Sequence, residues 1–242
     1  MFERIEQKKN LLDQKRPLPV HTVKSIRESI LLEWTYNSNA IEGNTLTLSE
    51  TKVVLEGITV GGKTMKEHLE ATNHKEAILY VEDIVHNKET FSEWQIKNIH
   101  QIILKGIDEQ NAGIYRKENV LISGAMHIPP DFMLVPDQMG KLLKWYHEEG
   151  QSLHVIQRAA ILHIVFVKIH PFVDGNGRTA RMLLNLELMK HGYPPLIIKK
   201  EERLQYYNAL DKAHTTEDYN DFYQLVSEAL VRSLDVYLKL IK

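Results

Sequence analysis

Apolar positions along the chain recur with helical rather than strand periodicity. Near the C-terminus Phe222, Leu225, Val226, Ala229, Leu230, Leu234, Tyr237 and Leu238 fall at i, i+3, i+4 and i+7 spacings that gather them on one face. Similar patterns predict helices around residues 22–36, 49–57, 66–86, 92–105, 135–149, 154–170, 177–191 and 200–213, and a further one from Phe2 to Leu12. Gly61-Gly62 and Pro194-Pro195 are among the breaks between them. Residues 119–130, NVLISGAMHIPP, depart from the rule: a short β-prone run, a Ser-Gly turn signal and a second run closed by two prolines predict a small β-hairpin. A lone hairpin is marginal in water and must lean on the helices. The expected fold is therefore all-α with one small β-hairpin flap. A soft boundary near residues 87–91 divides an N-terminal helical region, 1–90, from the rest, 91–242.

Composition narrows the class. With 242 residues and 43% apolar side chains, the chain has enough material for a sizeable core in one or two domains, which excludes a disordered or small disulfide-stapled protein. Thirty Lys and Arg against 32 Asp and Glu leave a net charge of −2, so bulk charge gives no nucleic-acid or membrane footprint. The opening MFERIEQKKN has no apolar segment behind it, no secretory signal is readable, and the cytoplasm is the expected location. Ala159 to Ile169, the most apolar run, contains His163 and Lys168 and is far shorter than the roughly 20 residues a bilayer span needs, so it reads as a buried helix. Cysteine is absent, which leaves His, carboxylate, hydroxyl and backbone groups to do any chemistry.

Those groups converge between Ile164 and Arg181, IVFVKIHPFVDGNGRTAR, where an apolar helix stops, a glycine-rich loop follows and a second helix starts. Pro171 pushes His170 out of the α region, so the helix ends there with the imidazole projecting at the loop, where it can act as a base. Gly175 and Gly177 let the backbone take unusual dihedrals and approach a ligand closely, and the amides opening the next helix bind phosphate well. Arg178 and Arg181 lie three apart on one helical face and suit a polyphosphate. Asp174 supplies a hard oxygen of the kind Mg²⁺ uses beside a nucleotide. Each piece alone is ordinary: a helix-ending histidine, a turn, a solvated basic face. Their conjunction within twelve residues is not.

HPFVDGNGRTAR, residues 170–181, resembles without a mismatch the signature of the Fic (AMP-transferase) family, His-x-Phe-x-Asp/Glu-Gly-Asn-Gly-Arg-x-x-Arg. The resemblance extends to Gly113-Ile114-Tyr115-Arg116, the hairpin after it, and Gly192-Tyr193-Pro194-Pro195, and so covers roughly residues 91–214. It implies the mainly helical Fic fold and an enzyme in which His170 deprotonates a hydroxyl of a target protein, which attacks the α-phosphate of ATP and expels pyrophosphate. On that resemblance Phe172 anchors the loop, Asp174 holds Mg²⁺, Asn176 with the Gly175 and Gly177 amides forms the anion hole, Arg178 binds phosphate and Arg181 meets the γ-phosphate. The hairpin resembles a target-docking flap that adds a strand of the target to Val120, Leu121 and Ile122. Tyr206 and Tyr207 fall where the family has aromatic residues close to the adenine, with core packing as the other reading of the pair. His214 stands where some relatives have an asparagine.

Ser38 to Asn44, SNAIEGN, resembles the family's inhibitory motif, Ser/Thr-x-x-x-Glu-Gly/Asn, on a predicted helix of about residues 34–43. Ser38 and Glu42 are four apart and Gly43 is a helix stop. A carboxylate paired with Arg181 takes a γ-phosphate donor and puts negative charge where the triphosphate needs positive charge. Other readings stay open: the same fold removing AMP, transferring UMP or phosphocholine, or serving as a non-catalytic nucleotide-sensing module, and a metal-dependent hydrolase built on His163, His170 and Asp174. The target protein is not named by the sequence, and an exposed apolar face would serve a homodimer.

Overall fold

The computed structural model describes residues 2–241 and contains ten α-helices among them: α1 Glu3–Asp13, α2 Val20–Ile41, α3 Leu48–Leu55, α4 Met65–His86, α5 Glu93–Leu104, α6 Val135–His147, α7 Val155–Ile169, α8 Asn176–Lys190, α9 Arg203–Thr216 and α10 Asn220–Leu240. Several starts are written locally. Thr47 with Glu50 and Thr64 with Glu67 form reciprocal capping boxes at α3 and α4, and Pro136 sits in the first turn of α6, where its missing N–H costs nothing. The segments predicted at 22–36 and 34–43 are one continuous helix, α2, stopped where Gly43 adopts φ +99°.

Helices α7 and α8 pack against each other at the centre and are buried nearly all round; α7 is largely apolar, whereas α8 buries Arg178, Arg181, Asn185 and Glu187 among its apolar residues. Helices α2, α4 and α5 cover α8; α6, α9 and α10 cover α7; α1 lies along α10. One core runs from Ile5 to Ile241 and takes residues from both sides of position 90, with a smaller cluster of Leu46, Val54 and Ala71 beneath the 45–60 segment. Among the described residues no helix is long and apolar enough to cross a membrane.

The hairpin is the part of the expected fold that must be corrected. Residues 119–130 contain no β-strand; they form an open excursion with a turn at Ser123-Gly124. No facing run supplies a ladder, because the second arm carries Pro129 and Pro130, which have no N–H to donate. Side chains hold the segment instead. Asn119 bonds Asp131 and the Phe132 N–H, Asp211 on α9 accepts from the Met126 and His127 N–H groups at 2.9 and 3.3 Å, and Arg116 takes both stems. Among the described residues no protein group accepts from the N–H of Val120, Leu121 or Ile122, and Leu121 stands 78% exposed.

Candidate active site

The break between α7 and α8 builds the site. His170 caps α7 in the left-handed conformation, φ +51° and ψ +60°, so the proline-imposed departure from the α region takes the form of a reversal that swings the imidazole away from the helix side. Burial lowers the His170 pKa to about 4; the Arg116 guanidinium adds to the effect, against the Glu42 and Asp174 carboxylates. Near neutral pH the ring is an unprotonated base, and Nδ1 is buried without a hydrogen-bond partner.

The loop that follows is closed by its own side chains. Asn176 accepts from the Phe172 N–H at 3.0 Å and donates to the Phe172 carbonyl at 2.8 Å, so its amide braces the turn from both sides. Phe172 is fully buried and stacks on His100 of α5, with ring centroids 3.6 Å apart and nearly parallel planes. His100 donates from Nε2 to the Asp174 carbonyl and accepts the Gly113 N–H at Nδ1, both at 2.9 Å. That pattern fixes the neutral tautomer, in keeping with a pKa that burial pushes down to about 4. The sequence reading gave His100 no role, although its place among Ile96, Ile99 and Ile103 on the buried face of α5 marks it as a polar group that must find partners.

Asp174 accepts the Gly175 N–H at 2.6 Å and lies 3.4 Å from Arg178 through the same oxygen, Oδ1. Burial alone would raise its pKa, but the Arg178 charge and the amide hydrogen bond outweigh burial and keep the carboxyl below its usual range. Its side chain is half exposed. Gly175, at φ +75°, stands at the α8 N-terminus, and the Gly177 α-carbon lies directly against the Glu42 carboxylate, which a β-carbon would overlap.

Both motif arginines are buried and already engaged. Arg181 donates to Ser38 Oγ at 3.0 Å, to the Ser38 carbonyl at 2.8 Å, to Glu42 Oε1 at 2.7 Å and to the Tyr206 hydroxyl at 3.3 Å. Desolvation works against its charge, yet Glu42 and Tyr206 raise its pKa overall. Arg178 pairs with Glu70 of α4 at 3.1 Å, and the other oxygen of Glu70 takes Asn44 at 2.8 Å. Asn39 also donates to the Glu70 carbonyl, so α4 fastens the turn that carries Glu42 and Gly43. The sequence reading missed Glu70; as with His100, the signal available was a polar residue on the buried face of a helix.

The two tyrosines separate. Tyr206 is 1% exposed, with its hydroxyl between Arg181 and His163 Nε2, 3.1 Å away, so it supports Arg181 from the core side. Tyr207 is partly exposed and donates to the Ile41 carbonyl at 3.1 Å, immediately before Glu42. His214 is tied to the Ile164 carbonyl at 3.0 Å, and burial brings its pKa to about 4. His163 is fully buried against Phe222 and Tyr206, apart from His170 and Asp174. Among the described residues no three His, Asp or Glu side chains gather as a metal cage.

A model of the Fic/DOC family matches residues 90–188, the stretch from α5 through the motif helix. A Fic domain containing signaling protein from Bacteroides thetaiotaomicron superposes with a TM-score of 0.91 at 32% identity, covering 99% of this chain and 97% of that one. The chain belongs to the Fic/DOC family. Fic-1 from C. elegans superposes with a TM-score of 0.87 at 31% identity, over 98% of this chain and 71% of that one. The protein adenylyltransferase Fic of Drosophila mojavensis is 36% identical over 241 residues, 96% of this chain. The chain spans about half the length of that relative, 47%. The Fic signature loop is thus the element that His100, Phe172 and Asn176 hold rigid, with Glu42 seated on it.

Proposed function

We propose that this Fic protein transfers AMP from ATP to a side-chain hydroxyl of a target protein and is restrained by its own Glu42. The observation that carries the reading is the Glu42 carboxylate wedged between Arg181 and the Gly177 α-carbon at the N-terminus of α8. That is where an anion is drawn by helix-opening amides and a guanidinium together, and a phosphate would be drawn there in the same way. The names of the curated relatives support the activity, and the intact signature supports His170 as its base.

In the mechanism, neutral His170 takes the proton of the target hydroxyl as its oxygen attacks the α-phosphorus; the α–β bridging bond breaks and pyrophosphate leaves with its electron pair. The loop amides, with Asn176 holding the turn, face the charge that grows on the phosphate, and Arg178 and Arg181 hold the β- and γ-phosphates. Arg178 must then exchange its contact with Glu70, and Arg181 its contact with Glu42, for phosphate oxygens. Asp174 suits Mg²⁺, which binds nucleotides through one or two carboxylates and phosphate oxygens rather than an all-protein cage. Its Oδ1 is taken by Gly175 and Arg178, and its side chain is half exposed. Bound there, the ion would neutralise phosphate charge. The open N–H groups of 120–122 suit pairing with an extended target segment.

The test is the intact mass of Glu42→Gly protein after incubation with ATP and Mg²⁺, beside a Glu42→Gly, His170→Ala double variant and with a protein extract as acceptor. AMP added to protein by the first and not by the second supports the reading. No AMP on any protein in either sample overturns it.

A further inference from the structure

Arg116 is a buried cation with no carboxylate in contact among the described residues. It is 3% exposed, and its guanidinium is spent on neutral oxygens: Nε donates to the His170 carbonyl at 2.9 Å, Nη1 to the Glu118 carbonyl at 2.9 Å and to Asn119 Oδ1 at 3.4 Å, and Nη2 to the Pro130 carbonyl. Its own backbone N–H donates to the Pro171 carbonyl at 2.9 Å. Burying a guanidinium is costly, and burial lowers its pKa. An apolar residue could fill this space without that cost. What it could not do is bond the carbonyls of positions 118, 130 and 170 from one side chain.

Those three groups have different functions. Glu118 and Pro130 are the two stems of the docking segment, which has no strand ladder to close it, so one side chain closes it. The third is the peptide of His170, whose left-handed backbone is strained for a non-glycine residue and persists only when its surroundings over-determine it. Besides the Phe166 carbonyl that takes the His170 N–H, the hydrogen bonds on the His170-Pro171 unit come from residue 116. The far arm of the segment ends on the same helical turn: His127 Nε2 donates to the Lys168 carbonyl at 2.9 Å, two residues before His170, while Asp211 holds the neighbouring amides. Both arms of the docking segment therefore terminate on the last turn of α7.

We propose that Arg116 is a positioning residue that couples the docking segment to His170, so that a target seated on residues 117–131 sets the aim of the imidazole. The inference rests on the AMP-transfer reading for its consequence, but its geometry can be tested without that reaction. A shift of the stems pulls on the Glu118 and Pro130 carbonyls, moves the guanidinium, and turns the His170 peptide with it. A misplacement of about 1 Å at a reacting group costs about 10²-fold in rate.

The experiment compares Arg116→Lys and Arg116→Gln in a Glu42→Gly background, with Asp211→Ala as a variant that frees the far arm and leaves Arg116 and His170 unaltered. Two readouts are taken: the rate of AMP transfer from ATP to the His170→Ala form of the same chain, and the pH titration of the His170 imidazole followed by NMR of labelled histidine. Lysine keeps the charge but cannot fork to three carbonyls. It should lower the rate about 10²-fold while ATP affinity stays within about twofold. Glutamine removes the cation beside the ring and should move the His170 titration upward from its position in the Glu42→Gly parent, whereas lysine should leave it nearly in place. Asp211→Ala should shift the His170 resonance in the folded protein. A His170 resonance and titration unchanged in all three folded variants overturns the coupling, and so does a rate loss matched by an equal loss of ATP affinity. If the Glu42→Gly parent transfers no AMP, the AMP-transfer reading fails, and the NMR titration still decides the role of Arg116.

Discussion

The signature loop and the segment proposed to dock the target, residues 117–131, are neighbours joined through Arg116, yet they are held in different ways. Residues 170–178 are braced from within and from α5: Asn176 on both polar groups of Phe172, His100, 74 positions away, under Phe172 and on Asp174, and Gly175 at a positive φ. Residues 117–131 make no ladder and are held at a few side-chain points: Asn119 on Asp131 and Phe132, Arg116 on Glu118 and Pro130, and Asp211 on the Met126 and His127 amides. A reaction centre needs its atoms fixed to fractions of an ångström, whereas a surface for extended peptides needs backbone groups left unpaired. On the proposed function the contrast is one of catalysis against docking, and it can be attacked from either side.

The largest effect belongs to the rigid side. In a Glu42→Gly background, His170→Ala should lower AMP transfer by about 10²–10⁴-fold, the range a general base contributes, with ATP affinity unchanged; steady-state rates with labelled ATP check it. Next comes the loop brace: Asn176→Ala leaves the buried N–H and carbonyl of Phe172 unpaired and should cost about 2–4 kcal/mol, read as a lower urea midpoint at constant slope. If stability were untouched, the loop would not be the rigid partner of the comparison.

Acid should weaken the same rigid side. Burial holds His100, His170 and His214 near pKa 4 and lowers His74 and His163 as well. Because the folded-state values lie below the unfolded value of about 6.5, the unfolded chain binds more protons in acid. The stability these groups contribute is complete above about pH 6.5 and should fall by about 1.4 kcal/mol per pH unit for each of them as pH drops from there toward 4. Urea midpoints measured between pH 7 and 4.5 would show this, and a flat profile would contradict the buried neutral histidines.

The smallest effect belongs to the docking segment. Asp211→Ala should cost under about 1 kcal/mol, since the freed amides at Met126 and His127 reach water, while raising the KM for a protein target several-fold and leaving the KM for ATP alone. A stability loss as large as that of Asn176→Ala would erase the difference between the two regions.

The same contrast explains what could be read from the sequence. The helices were legible because their apolar faces repeat locally, and the signature loop because its proline, glycines, histidine and arginines act over short range. The docking segment misled: NVLIS and AMHI have strand composition, but strand pairing also requires a partner register, and two prolines end the second arm. Tyr206 and Tyr207 looked alike in sequence and separate only because α9 turns one into the core against Arg181 and the other toward Ile41. Glu70 and His100 went unread, and Arg116 was named without a role, because their partners lie 108, 74 and 54 positions away. Pairings of that reach belong to the packing of α4, α5 and the 113–116 turn against α8.

The measurement that bears most directly on the central claim is a double-mutant cycle at the Glu42–Arg181 contact, read as the initial rate of AMP transfer from labelled ATP. Removing Glu42 alone should raise the rate on the order of 10²-fold, about 2.7 kcal/mol, by freeing Arg181 for the γ-phosphate. In an Arg181→Ala background the same removal should raise it little, because the group that Glu42 restrains is gone. An equal rise in both backgrounds would contradict restraint through Arg181, and no rise in either would contradict the brake itself.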